Sequence, residues 1–414
     1  MSSGVLVGGG PAGGSPADPG FWALPARARA EVFARLRERE GLAFVPERGG
    51  GWYAVVRHAD VMVASRRPDL FLSGPGVTTP PPARWVRWVF GDSMVNLDDP
   101  RHAVLRRIVS RSFTPRLLER VERDMVEIAA RIVTAVERDR PVDFVSAVAA
   151  PMPFEVICSM MGVPRVQRER VMALVAAASE HTGVRRGVAA RLRSPARGLR
   201  ALAEMRRIIV ALGRERRRRP GEDLVSALVS AEVDGRSLTG RELGAFFSLL
   251  LVAGVETTRN ALAHGLWLLT AHPAQRERLC ADLAGGLPGA VEEIVRFSSP
   301  IVQFRRTVAA DCELGGQRLR AGDRVALFYE SANRDPRVFE APEVFDVGRS
   351  PNPHLGFGGG GAHFCLGAGL ARLEMRILFR ELLTRLPGVR ACGEPVLVPS
   401  SFDHRVASLP FVLD

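Results

Sequence analysis

The segment His354-Leu-Gly-Phe357-Gly-Gly-Gly-Gly-Ala-His363-Phe-Cys365-Leu-Gly367 brings a run of glycines to a single cysteine. A helical pattern of apolar residues begins directly after the cysteine, at Leu366, Leu370, Leu373, Ile377, Leu378 and Leu382. Pro387-Gly388 ends this pattern. Cys365 is therefore predicted to stand just before a helix N-terminus.

A cysteine in that position is a candidate metal ligand. The free N–H groups and the dipole of a helix N-terminus favour negative charge, so they are expected to lower the pKa of the Cys365 thiol. The glycines at 358–361 permit positive φ and the close approach of something flat and large. A thiolate held in this way suits an axial ligand of haem iron. The alternative is a buried free cysteine in a glycine-rich loop.

Charge and composition narrow the classes of partner. The chain has 414 residues, 46% of them hydrophobic, and a formal net charge of +12 in which every basic residue is an arginine. The arginines are spread along the chain and no nucleic-acid module is recognisable, so no nucleic-acid partner is expected. A solvated charged surface is the simplest interpretation, and an acidic electron-donor protein is the next.

Cysteine usage and hydropathy point to the cytoplasm. The five cysteines are an odd number without zinc-ligand spacing or a disulfide framework, which fits a reducing compartment. No apolar run reaches the length of a membrane span, and no signal peptide is evident at the N-terminus, so no membrane anchor is expected.

The expected domain organisation is simple. Residues 1–20 are rich in glycine and proline and are predicted to form a flexible tail, and residues 21–414 a single domain. The tail contains Val5-Leu-Val-Gly8-Gly-Gly-Pro-Ala-Gly13, which resembles a dinucleotide-binding turn but is followed by residues that cannot form the required helix. The remainder reads as mainly helical, with short strands at 301–330 and 388–414.

One predicted helix is apolar on all sides. Thr239-Gly-Arg-Glu242 is a capping box that opens a helix extending to about residue 272, and the segment 246–254 has no polar face, so this helix should be buried. Glu256 and Thr257 follow inside it. They are candidates for a proton relay to a reacting oxygen; the alternative is a threonine bonded back to the helix and a glutamate in a salt bridge.

A further pair, Glu293 and Arg296, lies on one face of a helix predicted at 289–298. Exposed pairs at this spacing are common and contribute little to stability. Apolar neighbours on the same helix favour a buried pair here.

Together these motifs resemble those of the cytochrome P450 superfamily, over the chain from about residue 20 to its end. The family's haem loop corresponds to Phe357, Gly358, His363, Cys365 and Gly367, its Glu-x-x-Arg pair to Glu293 and Arg296, and its acid–alcohol pair to Glu256 and Thr257. Asp98-Asp-Pro-Arg-His102-Ala-Val-Leu-Arg106 resembles the haem-facing helix of bacterial members.

The resemblance implies a fold and a role for each of these positions. The fold would be mainly α with small β-sheets, with haem b (heme b, iron protoporphyrin IX) between the long buried central helix and the helix after the cysteine. Cys365 would be the thiolate ligand of the iron. The haem propionates would be held by His102, Arg106, Arg306 and His363, where Arg306 is placed by its spacing to Asp311. Glu293 and Arg296 would lock the fold behind the haem, together with Arg349.

One departure from the family pattern bears on the substrate. The spacing from Phe357 to Cys365 is one residue longer than usual. A bacterial subgroup that oxidises sterol side chains and methyl-branched lipids has the same longer loop, and Ser93-Met-Val-Asn-Leu-Asp-Asp-Pro also resembles that subgroup.

The implied activity is that of a monooxygenase that hydroxylates or epoxidises a hydrophobic substrate, such as a lipid, sterol or terpenoid. A natural-product tailoring oxidase acting on a polyketide scaffold is the main alternative; a haem sensor and a peroxide-driven enzyme are disfavoured by Glu256 and Thr257. Electrons are expected from a separate ferredoxin or flavodoxin with its NAD(P)H reductase, and the protein is expected to be a monomer. Substrate contacts are expected from the loop 72–96 with Trp85 and Trp88, the segment 170–185, Leu250 and Ala253, Pro300–Val302, and Ser401-Phe402.

Overall fold

Helices predominate in this computed structural model, which describes residues 14–47, 50–78, 93–179, 188–233 and 235–413. The α-helices are α1 (Ala26–Glu38), α2 (His58–Arg66), α3 (Arg101–Ser112), α4 (Pro115–Asp139), α5 (Pro151–Met160), α6 (Arg165–Ser179), α7 (Val188–Arg218), α8 (Leu224–Ser230), α9 (Gly240–Ala271), α10 (Pro273–Ala281), α11 (Leu283–Ser298), α12 (Tyr329–Ala332) and α13 (Ala368–Arg385). Short 3₁₀ turns at Phe21–Ala23 and Met94–Asn96 and a π-helical turn at Val145–Ala149 complete the helical part.

The strands are short and form small sheets. They are β1 (Ala43–Glu47), β2 (Gly50–Val55), β3 (Phe71–Leu72), β4 (Glu232–Val233), β5 (Arg236–Ser237), β6 (Gln303–Val308), β7 (Cys312–Leu314), β8 (Gln317–Leu319), β9 (Arg324–Phe328), β10 (Arg390–Ala391), β11 (Val396–Leu397), β12 (Val406–Ser408) and β13 (Phe411–Val412). The largest sheet has the order β1-β2-β9-β6-β3, with β2 and β9 parallel and the other neighbours antiparallel. The predicted class, mainly α with small sheets, is confirmed.

The central helix α9 has the start and the burial that its sequence predicts. The Thr239 hydroxyl accepts the backbone N–H of Glu242 at 3.2 Å, and the Glu242 carboxylate accepts the backbone N–H of Thr239 at 3.1 Å. This reciprocal cap satisfies donors that a helix N-terminus leaves free. Leu251, Leu262 and Leu269 of α9 are fully buried within the largest hydrophobic cluster.

Glycine allows α9 to approach its neighbours closely. A Cβ atom at Gly265 would lie 2.5 Å from Cζ of Phe379 on α13, and a Cβ atom at Gly254 would lie 3.2 Å from Cδ1 of Ile157 on α5. The first distance is shorter than any real carbon contact, so the packing of α9 against α13 requires glycine at position 265.

Some boundaries differ from the predictions. Helix α11 begins at Leu283 rather than near residue 289, because Asp282 caps it by accepting the N–H of Gly285, and Pro288 lies inside its first turns. The β4–β5 hairpin was not predicted; its strands are two residues long, too short for an alternating pattern.

The predicted flexible tail also begins to pack before residue 20. Pro16 is buried, its carbonyl accepts the indole N–H of Trp22 at 3.1 Å, and Ala17 packs against the cluster that contains Phe21. The dinucleotide-like run at 5–13 lies outside the described residues.

Candidate functional site

The glycine run turns back on itself between Phe357 and Cys365. Gly358, Gly360 and Gly361 all have positive φ, at 99°, 86° and 75°. The turn returns the chain so that the backbone N–H of Cys365 donates to the carbonyl of Phe357 at 3.0 Å. A Cβ atom at Gly361 would also lie 2.4 Å from the carbonyl oxygen of Ser65 on α2. Position 361 therefore requires glycine both for its positive φ and for this close contact.

The pKa of Cys365 differs from the expectation. Burial by the surrounding protein raises the pKa of the thiol above its ordinary value; the backbone N–H of Gly367, followed by Arg106 and Arg372, opposes this rise. The helix itself begins at Ala368, with Gly367 as its N-cap, so the pattern that starts at Leu366 overestimated its length by two residues.

Because burial raises the pKa of the Cys365 thiol, the predicted lowering of this pKa by the helix terminus is wrong for the protein alone. A bound metal deprotonates a thiol ligand directly.

Open space borders the cysteine. Cys365 is exposed by its accessible surface even though enough protein surrounds the thiol to raise its pKa, so the thiol borders a recess. A Cβ atom at Gly367 or Gly369 would meet no heavy atom within 4 Å. On the central helix, Ala253 is exposed although most of α9 is buried. These exposed positions on α9 and α13 fit a flat group held between the two helices.

Basic side chains gather beside this space. The rings of His102 and His363 lie with centroids 4.1 Å apart, and Nε2 of His363 lies 3.2 Å from Oγ of Ser73. Arg106 donates to the carbonyl of Phe364 at 2.7 Å. Arg306 is buried at 5% exposure and donates to the carbonyl of Arg305 at 2.7 Å.

The electrostatics of this basic cluster favour an anion. Among the described residues no carboxylate forms a salt bridge with Arg306; burial lowers its pKa, and the charge of Asp98 only partly opposes this. Burial also lowers the pKa of His102, and burial with the charges of Arg306, His102 and Arg106 lowers the pKa of His363 to about 3. A buried guanidinium without a carboxylate partner is unfavourable, so the cluster suits the two propionates of haem.

Glu256 and Thr257 adopt different environments on α9. The Thr257 hydroxyl donates to the carbonyl of Ala253 at 2.6 Å. Glu256 is buried at 8% exposure, with its Oε2 at 2.7 Å from Nη2 of Arg259 and 3.8 Å from Nε of Arg405. These contacts match the structural alternative of a back-bonded threonine and a salt-bridged glutamate. The threonine oxygen can nevertheless still accept a hydrogen bond.

Glu293 and Arg296 form a fully buried, two-pronged pair, with both N–O distances at 2.7 Å and both side chains at 0% exposure. Arg349 lies 3.3 Å from the Glu293 carboxylate. Arg296 also donates to the carbonyls of Asn333, Pro342 and Val344, and Glu293 accepts from the N–H of Asp346 and the amide of Asn352. The structure thus places all three predicted residues in one network that ties α11 to the segment 333–352.

Sequence reasoning missed a second network beside it. Glu292 forms a two-pronged ion pair with Arg372 and also contacts Nε2 of His354 at 2.9 Å. Arg372 lies over the ring of Phe357, with its Cζ atom 4.3 Å from the ring centroid. The adjacency of Glu292 to Glu293 was a weak signal, but nothing in the sequence indicated its partners 62 and 80 residues away.

The partners of Glu256 were also missed, because Arg405 lies near the end of the chain and Arg259 was one arginine among many.

The described residues include part of the expected substrate surface. Leu250 is half-buried and Ala253 exposed on α9, and the ring of Phe402 packs edge-on against Phe304 at 5.5 Å. Pro300 and Val302 are buried. Trp85 and Trp88 of the loop 72–96, and residues 180–185 of the segment 170–185, lie outside the described residues.

Comparison with known proteins gives a family match. The family model for cytochrome P450 matches residues 199–387. A methyl-branched lipid omega-hydroxylase of Mycobacterium tuberculosis is 44% identical over 406 residues, which cover 94% of this chain and 92% of that protein. A steroid C26-monooxygenase of Mycolicibacterium smegmatis is 35% identical over 386 residues, which cover 90% and 87%.

A solved structure also matches the chain over nearly its whole length. Cytochrome P450 CYP268A2 of Mycobacterium marinum, in complex with pseudoionone, superposes with a TM-score of 0.87 and 41% identity. The match covers 95% of this chain and 97% of that one.

Proposed function

The chain belongs to the cytochrome P450 family and is a haem-thiolate monooxygenase, and from this premise we propose that it hydroxylates a methyl-branched lipid or the side chain of a steroid. The observation that carries this proposal is the match to two hydroxylases of such substrates across 90% or more of the chain. The longer loop between Phe357 and Cys365 supports the same substrate class.

The residues of the site fit haem b, the cofactor of the family. In the proposed arrangement Cys365 ligates the iron, Phe357 and Gly367 border the ligand loop, and His102, Arg106, Arg306 and His363 hold the propionates. Haem b supplies the activation of dioxygen and the insertion of one oxygen atom into the substrate. The protein supplies ligation, the exclusion of water and the delivery of protons.

Proton delivery is assigned to Glu256 and Thr257. The Thr257 hydroxyl, which donates to the carbonyl of Ala253, lies beside the open space. By rotating away from that carbonyl it can give its proton to a reacting oxygen and accept another from Glu256. Glu256 lies on the buried side, between two arginines, and carries the proton to Thr257. General acid catalysis of this kind raises a reaction rate by roughly 10²–10⁴-fold.

Electrons come from redox partners. We assign this role to a ferredoxin or flavodoxin with its NAD(P)H reductase, since the net charge of +12 suits an acidic donor. Among the described residues no helix combines the length and hydropathy of a membrane span. All five cysteines are unpaired, which supports the cytoplasm as the place of action. The proposed form is a monomer.

The test is a spectral titration of the purified haem protein with a matched panel of ligands, followed by product analysis with a ferredoxin and its reductase. The panel contains a methyl-branched fatty acid, its straight-chain isomer, a steroid with an intact side chain and a polyketide lactone. Binding and terminal hydroxylation of the branched acid or the steroid side chain are expected. Turnover of the polyketide alone would instead support the natural-product tailoring function and overturn the proposal.

A further inference from the structure

Several buried polar atoms lie behind Glu256 without hydrogen-bond partners in the protein. On α9 these atoms are Oε2 of Glu256, Nε of Arg259 and Nδ2 of Asn260. Oε2 of Glu256 is close to Arg259 but lacks the alignment of a hydrogen bond. Buried polar groups of this kind are normally bonded to internal water. The back of the central helix therefore has the chemistry of a hydrated site.

A cavity lies on the same side of the molecule. Its volume is about 20 Å³, and its lining includes Arg29, Leu397, Val398, Asp403, His404 and Arg405. Leu397 is 43% exposed and Asp403 only 4%, so the cavity extends from the surface into the interior. The space and the polar lining are sufficient to hold water.

The two sites are connected by a pair of side chains. Nη2 of Arg405 lies 3.1 Å from Oδ2 of Asp403, and Nε of Arg405 lies 3.8 Å from Oε2 of Glu256. Asp403 and Arg405 are two residues apart, so they share one side of the chain, while His404 contacts the carbonyl of Ser298 at 2.7 Å and Glu330 at 3.3 Å. Arg405 thus bridges the acid that borders the cavity and the acid on the central helix.

Other charged side chains surround Glu256 and Arg405. Arg259 and Arg405 face Glu256 directly. In the next layer lie Arg29, His404 and Glu330, and Nε2 of His264 donates to the carbonyl of His404 at 3.0 Å. Nε of Arg29 and Oε2 of Glu330 also lack hydrogen-bond partners, which extends the hydrated region along the cavity wall.

We propose that the cavity, Asp403 and Arg405 form the solvent end of the proton path to Glu256. A proton from bulk water passes through water in the cavity, past Asp403, to the Glu256 carboxylate. Glu256 then gives a proton to the oxygen of Thr257 as the Thr257 O–H gives its own proton to the reacting oxygen, so that both residues return to their starting states. Arg405 keeps its charge throughout and acts as a positioning residue. This inference rests on the proton-relay role proposed above for Glu256 and Thr257.

The first test needs no turnover. A high-resolution crystal structure of the haem-loaded protein should show ordered waters in the cavity and beside Oε2 of Glu256. In Val398→Phe, the ring should fill the cavity and remove those waters. Val396→Phe is the matched control, because Val396 is 56% exposed on the same segment and does not line the cavity. A dry cavity in the unaltered protein would overturn the proposal.

The second test measures coupling. Val398→Phe and Asp403→Asn should release several-fold more hydrogen peroxide per product and show a larger solvent isotope effect on kcat, with KM for the substrate unchanged. Arg405→Lys, which keeps the charge, should restore most of the coupling lost in Arg405→Leu. A purely structural role would alter thermal unfolding without changing the isotope effect, and that result would count against the path.

The outcomes separate this proposal from the one on which it rests. If Thr257→Ala leaves coupling unchanged, the relay role of Glu256 and Thr257 fails. If Thr257→Ala uncouples the enzyme while Val398→Phe and Asp403→Asn remain coupled, only the path through the cavity fails.

Discussion

The guanidinium of Arg372 and the carboxylate of Glu292 face each other in a two-pronged ion pair, with Nε–Oε1 at 2.6 Å and Nη2–Oε2 at 2.8 Å. Burial opposes ionisation of Glu292, but His354 and Arg372 hold its pKa at about 2. Arg372 covers the ring of Phe357, whose carbonyl accepts the N–H of Cys365. Helix α11 therefore fixes the ligand loop through a short series of contacts.

Arg372→Leu should loosen that loop and remove a positive charge near the thiolate. We expect the reduction potential of the bound iron to fall. The change should correspond to about 1 kcal/mol, which is the contribution of a partly exposed charge. Part of the reduced-CO absorbance band of thiolate ligation should also be lost. Spectroelectrochemistry and the CO spectrum measure these effects. Arg380→Leu, at an exposed position on the same helix, is the control, and Cys365→Ser marks complete loss of the band. Identical potentials in the two arginine variants would contradict this role.

Glu293→Gln should destabilise the fold strongly. Arg296 is fully buried, and without the carboxylate its charge is uncompensated, which typically costs about 3–5 kcal/mol. Urea unfolding followed by circular dichroism measures the loss. Glu343→Gln breaks an ion pair with Arg334 whose carboxylate is 57% exposed, and should lose less than about 1 kcal/mol. Equal losses in the two variants would show that the buried network is not a major source of stability.

Thr257→Ala should uncouple electron consumption from product formation, because it removes the hydroxyl that borders the open space. Thr257→Ser should retain most of the coupling. The ratio of product to NAD(P)H consumed is the measurement. Thr270→Ala is a matched control on α9, since the Thr270 hydroxyl bonds back to the carbonyl of Leu266 at 2.8 Å in the same way. Unaltered coupling in Thr257→Ala would exclude a relay through this hydroxyl.

Glu374 predicts a specific pH dependence of stability. It is buried at 2% exposure on α13, its Oε1 has no hydrogen-bond partner, and burial raises its pKa to about 8. The folded state therefore keeps a proton that the unfolded state releases from about pH 4.5 upward. Between pH 4.5 and the folded pKa of about 8, the contribution of Glu374 to the free energy of unfolding therefore falls as the pH rises. The fall is at most about 1.4 kcal/mol per pH unit, and the contribution is lost above the folded pKa.

Glu374→Gln should remove this fall. Urea unfolding at several pH values from about 5 to about 9 should show the variant gaining stability relative to the unaltered protein as the pH rises. The difference between the two proteins isolates Glu374 from other titrating groups, such as His264, whose pKa burial lowers to about 4. Parallel pH profiles would show that Glu374 ionises without penalty.

Much of the site could be predicted because its motifs are local. The order of Glu256-Thr257, Glu293-x-x-Arg296 and the cysteine loop predicted the family, and the capping box at Thr239 predicted the start of α9. The pKa of Cys365 was mispredicted because desolvation depends on every atom nearby, whereas the helix-terminus effect depends only on the first turn of α13. The ion pairs of Glu292 and Glu256 could not be predicted, since their partners come from distant segments and the chain offers many arginines.

The contact between Gly265 and Phe379 has a consequence for how this enzyme can change. Helices α9 and α13 meet where a glycine hydrogen faces the edge of the Phe379 ring. The spacing of the two helices at this point is therefore set by the absence of a side chain at position 265. Any larger residue at position 265 would have to displace the ring of Phe379, so substitutions there are accepted only together with a change in the partner helix.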